Sequence, residues 1–126
     1  MSEPVPFQSS FFTVAQQGDV YVIAIEKEQL KDDDNLEQFS QDLNLLIEKH
    51  EITKFVVRLT RVRYMTSMAI GKLITLHRKL NRLKGTLVLS ELLPDVEATM
   101  DAAKLLTYFT TCPDLATALK TFQSKA

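Results

Sequence analysis

The sequence predicts an α/β domain built on a mixed, mostly parallel sheet of about five strands with four helices. Three observations carry that reading. Two runs rich in β-branched and aromatic residues flank a Gln-Gln-Gly-Asp turn signal near the start of the chain. After them, apolar runs of strand length alternate with amphipathic segments of helix length, the pattern of strand–helix–strand crossovers. No repeat, low-complexity tract or long Gly/Ser linker breaks the alternation, and 126 residues with 45% hydrophobic content can bury one core without disulfides or metal.

The opening "MSEPVPFQSS" has two prolines and lacks the basic and apolar regions of a secretory signal. It reads as a flexible N-terminal leader over 1–10, with the domain proper over 11–126. Phe11 to Ala15 and Val20 to Ile25 form a predicted β-hairpin. An acidic loop through Asp32, Asp33 and Asp34 follows, with Asp34 or Asn35 as N-cap of a helix whose stripe is Leu36, Phe39, Leu43 and Leu46 or Ile47. "KFVVRL" is too apolar to leave one face in water and reads as a buried strand. From Met68 to Leu83, the residues Ile70, Leu73, Ile74, His77, Leu80 and Leu83 trace an apolar stripe, with Gly85 as C-cap and Lys72, Arg78, Lys79 and Arg82 largely on the solvent side. "TLVLSEL" is another buried strand, "PDVEATMDAAKLL" a helix with Pro94 in its first turn, "YFTT" a short strand, and "DLATALKTF" a helix capped by Asp114.

Net charge is −1, but the charge is unevenly distributed. From Ile52 to Ser90 there is no acidic residue, while nine of the fifteen basic ones fall there: Lys54, Arg58, Arg61, Arg63, Lys72, Arg78, Lys79, Arg82 and Lys84. An acidic partner docked on the helix face carrying Lys72, Lys79 and Arg82 is one reading of that segment, and a solvated face is the other. Nucleic-acid binding is disfavoured, because no aromatics are interleaved with the basic residues and the net charge is negative. The lone Cys112 cannot form an internal disulfide, and no apolar run approaches the roughly 20 residues of a membrane span. A reduced, cytoplasmic setting is expected.

Three glycines, none clustered, exclude a phosphate-wrapping P-loop. His50, His77 and Cys112 are too scattered for a metal site, and no cofactor is expected. Ser67 lacks the flanking glycines of a nucleophile elbow, and the acid-free interval leaves no carboxylate at the end of a central strand. These absences argue against an enzyme. What remains is the adjacent pair Thr66 and Ser67 at a helix start, on the loop edge where α/β sheets usually carry function. Ser67 can cap a backbone N–H there, and a phosphate on it would sit at the positive end of the helix dipole. Both states fit.

"VVRLTRVRYMTSMAIGKLITLHRKLNRLKGTLVLSEL" resembles the centre of the STAS domain, the fold of bacterial anti-sigma-factor antagonists, and "LLTYFTTCPDLATAL" resembles that family's closing strand, proline and helix. Thr66 stands at the family's aspartate position, Ser67 at the phospho-accepting serine, Ala69 at a glycine, and Ile70 and Gly71 at its Leu-Gly pair. The resemblance implies a non-enzymatic, cofactor-free partner switch in transcription regulation. It would bind an anti-sigma factor that is also a serine/threonine kinase, be phosphorylated on Ser67 or Thr66, and be restored by a phosphatase. The implied partner surface is Tyr64, Met65, Thr66, Ser67, Met68, Ala69 and Lys72. The alternative is a STAS accessory domain or subunit of a transport or sensory complex with no phosphorylation cycle. Exposed apolar residues such as Met65 and Met68 would serve a homodimer as readily as a heterologous interface.

Overall fold

A computed structural model of the protein describes residues 3–4, 7, 9–31, 36–51, 53–105 and 108–123. In order, the elements are β1 (Glu3–Pro4), β2 (Phe12–Gln17), β3 (Val20–Ile25), β4 (Gln29–Leu30), α1 (Leu36–His50), β5 (Lys54–Arg58), β6 (Tyr64–Met65), α2 (Ser67–Arg82), β7 (Thr86–Ser90), α3 (Pro94–Ala102), β8 (Thr110–Cys112) and α4 (Leu115–Gln123). The main sheet runs β1-β2-β3-β5-β7-β8, and β4 pairs with β6 in a separate two-stranded ribbon.

The hairpin forms as the turn chemistry dictates. β2 and β3 pair from Phe12↔Ile25 to Gln17↔Val20, which leaves Gly18 and Asp19 as the loop. Gly18 takes φ +61 at the first loop position, the left-handed angle a two-residue hairpin needs there. β3–β5, β5–β7 and β7–β8 are parallel, each pair spanned by a helix. The expected five strands and four helices are therefore present, joined by three two-residue strands. One of these, β1, pairs Glu3 with Gln16 and Pro4 with Ala15 inside the expected leader.

Alternation along the strands separates two cores. Tyr21, Ile23, Ile25, Phe55, Val57, Leu87 and Leu89 face α1, α2 and α3, where Leu36, Phe39, Leu43, Leu46, Ile47, Leu73, Leu76, Leu80, Val96 and Met100 are buried. On the opposite face, Val20, Val56 and Val88 pack against Ala118 and Phe122 of α4. Asp114 caps α4, its Oδ1 accepting from Thr117 N at 2.8 Å. The Asp34 or Asn35 cap expected for α1 lies outside the described residues.

Some expectations need correction. The α2 stripe includes buried Leu76 but not Leu83, which is 46% exposed. Gly85 is not the left-handed cap of α2: Lys84 holds that position at φ 62, with Lys84 N donating to Asn81 O and Gly85 N to Leu80 O. Gly85 is required for another reason. A Cβ there would lie 2.1 Å from the Thr53 carbonyl oxygen, so the chain must be bare where it enters β7 beside β5. The strand expected over "YFTT" falls two residues later, at Thr110–Cys112, because Phe109 is drawn into the core at 3% exposure. Lys72 and Lys79 lie against α1, not in open solvent. Lys72 pairs with Glu37 at 2.8 Å and Lys79 with Glu48 at 3.6 Å, since parallel α1 and α2 place acidic and basic rows side by side.

Candidate functional site

The segment leading into α2 is held by the β4 ribbon. Val62 N donates to Leu59 O at 3.1 Å, turning the chain after β5, and Arg63 N donates to Glu28 O at 2.7 Å. Gln29↔Tyr64 and Leu30↔Met65 then pair in parallel. Strand alternation sends Met65 into the core at 4% exposure and Tyr64 outward at 52%. Met65 is thus not the exposed apolar residue expected.

The same register places the cap. Thr66 N donates to Leu30 O at 3.0 Å, fixing Thr66 in extended backbone at φ −81 and ψ 168. Its Oγ1 accepts from Ala69 N at 3.3 Å, and its carbonyl accepts the first helical bond from Ile70 N at 3.0 Å. Thr66, not Ser67, is therefore the N-cap. Ser67 is the first helical residue; it is exposed, and its hydroxyl has no hydrogen-bond partner among the described residues. Met68 beside it is half exposed, whereas Ala69 is buried and offers no side-chain surface.

The electrostatics of this end follow from the sequence. The first turn of α2 carries no carboxylate, so nothing in it offsets the partial positive charge of the free N–H groups. Lys72, one turn on, is held by Glu37 of α1. Of the expected partner surface, Tyr64, Ser67 and Met68 are exposed together, Thr66 is half-buried as the cap, and Met65, Ala69 and Lys72 support them.

Two polar features lie elsewhere. Contrary to the expectation from the acid-free interval, a carboxylate does stand at the end of an inner strand: Glu91, just past β7, forms a bidentate pair with Arg58 at the end of β5 (2.6 and 2.9 Å), with Ser90 Oγ donating to the same carboxylate at 3.1 Å. Hydrogen bonding from Arg58 holds the Glu91 carboxyl below its ordinary range. His77, expected as a packed helix residue, has Tyr108 and Phe109 at centroid distances of 5.0 and 5.4 Å, and its Nδ1 is buried without a partner among the described residues. Burial lowers its pKa. Among the described residues, no three His, Cys, Asp or Glu side chains are grouped to hold a metal, and no helix is long and apolar enough to cross a membrane.

Sequence reasoning placed Thr66 and Ser67 at the helix start but missed the β4–β6 ribbon, because two-residue strands leave no periodicity to read. Without that register, either hydroxyl satisfies the rule for a helix cap.

The fold is shared with solved proteins. RsbS of Moorella thermoacetica superposes with a TM-score of 0.76 at 22% identity, over 92% of this chain and 97% of that one. The phosphorylated form of the Bacillus cell fate determinant SpoIIAA gives 0.65 at 18% identity, over 88% and 98%. The murine Slc26a9 anion transporter gives 0.71 at 15% identity, over 98% of this chain but 22% of the transporter. No curated protein matches the sequence. The STAS domain family model matches residues 12–118, nearly the whole sheet and its helices, and the chain belongs to that family.

Proposed function

We propose that this protein is a non-enzymatic adaptor of the anti-sigma-factor-antagonist type. It binds an anti-sigma factor that is also a serine/threonine kinase through the α2 entrance, and phosphorylation of Ser67 switches it off. The observation that carries the reading is the division of labour between the two hydroxyls. Thr66 caps the helix, so Ser67 is exposed at the helix N-terminus with no structural task among the described residues. A phosphate there would meet unpaired backbone N–H groups and no carboxylate in the first turn, while adding bulk and about two negative charges between exposed Tyr64 and Met68. The domain itself tolerates the phosphate; a partner seated on it would not. Thr66 is the weaker acceptor, because modifying its hydroxyl removes the cap. A phosphatase would complete the cycle, in a reducing cytoplasm that suits the lone Cys112.

The likeness to the Slc26a9 transporter favours a second reading, an accessory domain of a transport complex in which Ser67 is never modified. Affinity purification from native cells with Ser67→Ala and Ser67→Glu variants separates the two. The first reading expects an ATP-binding serine kinase retained by Ser67→Ala and lost by Ser67→Glu. Equal retention of one partner by both variants, above all a transporter subunit, would overturn it.

A further inference from the structure

Six of the nine basic residues in the acid-free interval are neutralised by carboxylates from other segments: Lys54 by Asp19, Arg58 by Glu91, Arg61 by Glu26, Arg63 by Glu28, Lys72 by Glu37 and Lys79 by Glu48. The fold thus cancels most of the charge asymmetry seen along the sequence. The three left over are Arg78, Arg82 and Lys84, all exposed and with no side-chain ion pair or hydrogen bond among the described residues. Arg78 and Arg82 stand one turn apart at the end of α2, and Lys84 follows just beyond its C-cap. Arg82 and Lys84 complement the helix dipole, but Arg78 and Arg82 stand at i and i+4, where like charges repel.

The same outward stripe holds Ser67, Gly71, Thr75, Arg78 and Arg82, spaced 4, 4, 3 and 4 residues apart. A Cβ on Gly71 would meet nothing within 4 Å, so no contact inside the described chain requires a glycine in the middle of this helix. A bare backbone at that point admits close approach from outside.

We infer that the C-terminal half of α2 is a docking surface for a carboxylate-rich segment of a partner protein, bound at Arg78, Arg82 and Lys84. The surface deepens the reading of α2 as the docking helix: the partner lies along the stripe, with its acidic end about 16–22 Å from Ser67. A protein fits better than a nucleic acid. Three cations fall short of the six to ten phosphate contacts of a typical DNA-binding face, and the net charge of −1 opposes a polyanion. They are also few for holding an anionic membrane, at about 1 kcal/mol each.

The test is a titration of the isotope-labelled full chain with deca-glutamate, followed by amide NMR shifts, with deca-glutamine as control. Expected are shifts confined to Arg78, Arg82, Lys84 and their neighbours, strong at low salt and reduced at about 0.15 M. They should weaken about fivefold or more in Arg78→Gln/Arg82→Gln and in Arg78→Glu/Arg82→Glu. At about 0.15 M salt, Ser67→Glu should leave them unchanged, because the distance exceeds the roughly 8 Å screening length there. No shift with deca-glutamate, equal shifts at Lys54, Arg61 and Arg63, or tighter binding of a DNA duplex or phosphatidylserine vesicles would each overturn the proposal. The phosphorylation reading stands apart from this result, since the peptide never engages Ser67.

Discussion

Thr66 and Ser67 are adjacent alcohols in different settings, one capping α2 and the other exposed, and that difference is measurable. Thr66→Ala removes the acceptor for Ala69 N and should destabilise the domain by about 1 kcal/mol, whereas Ser67→Ala should stay within about 0.5 kcal/mol of the parent in urea unfolding. The reverse ranking would place the cap on Ser67. Residue chemistry made the pair visible in the sequence, but only the bond from Thr66 N to Leu30 O decides which one caps. A similar contrast holds at the end of α2. Lys84→Gly should stabilise by about 1 kcal/mol by relieving a left-handed lysine, while Gly85→Ala should destabilise markedly because its Cβ would collide with Thr53 backbone. Sequence reasoning marked Gly85 correctly as special and gave it the wrong cause. Close approach between strands is a tertiary fact that no local pattern encodes.

At the scale of elements, long and strongly periodic segments were legible and short ones were not. α1 and α2 announced themselves through Leu36, Phe39, Leu43 and through Ile70, Leu73, Leu80, all buried as the 3.6-residue period requires. The two-residue strands β4 and β6, and the displacement of β8 from "YFTT", depend on partners remote in sequence. The links between elements carry a pH dependence. Glu91 has a depressed folded pKa, so its pairing with Arg58 stabilises fully above the ordinary carboxylate value and is lost as pH falls below about 4.5. Glu91→Gln should flatten that part of the urea-midpoint profile; an unchanged profile would show that the pair does not couple β5 to β7. His77 acts in the same direction in a higher window. Its folded pKa lies below the ordinary 6.5, so its contribution is present above 6.5 and declines as pH falls through the folded value. His77→Phe, which keeps the aromatic packing on Tyr108 and Phe109, should remove the decline just below pH 6.5.

For the whole molecule, the fold class was legible because hairpin, alternation and closing helix agree with one another, and such agreement across levels is what specifies a fold; the family was legible only through the likeness of residues 56–92 and 105–119 to the STAS pattern. The charge distribution was legible only as a question. The sequence separates acids from bases, and folding brings them together across the α1–α2 seam and the strand ends, leaving Ser67 and the last turns of α2 open. The central claim is that Ser67 is a phosphate acceptor on a docking helix. Intact-mass analysis of the protein isolated from its native cells, with fragmentation across Arg63 to Lys72, tests it most directly. The account predicts a fraction carrying one phosphate, located on Ser67, that varies with growth condition. A protein unmodified under every condition, or a phosphate placed outside this segment, would contradict it and leave the α2 entrance as a constitutive binding surface.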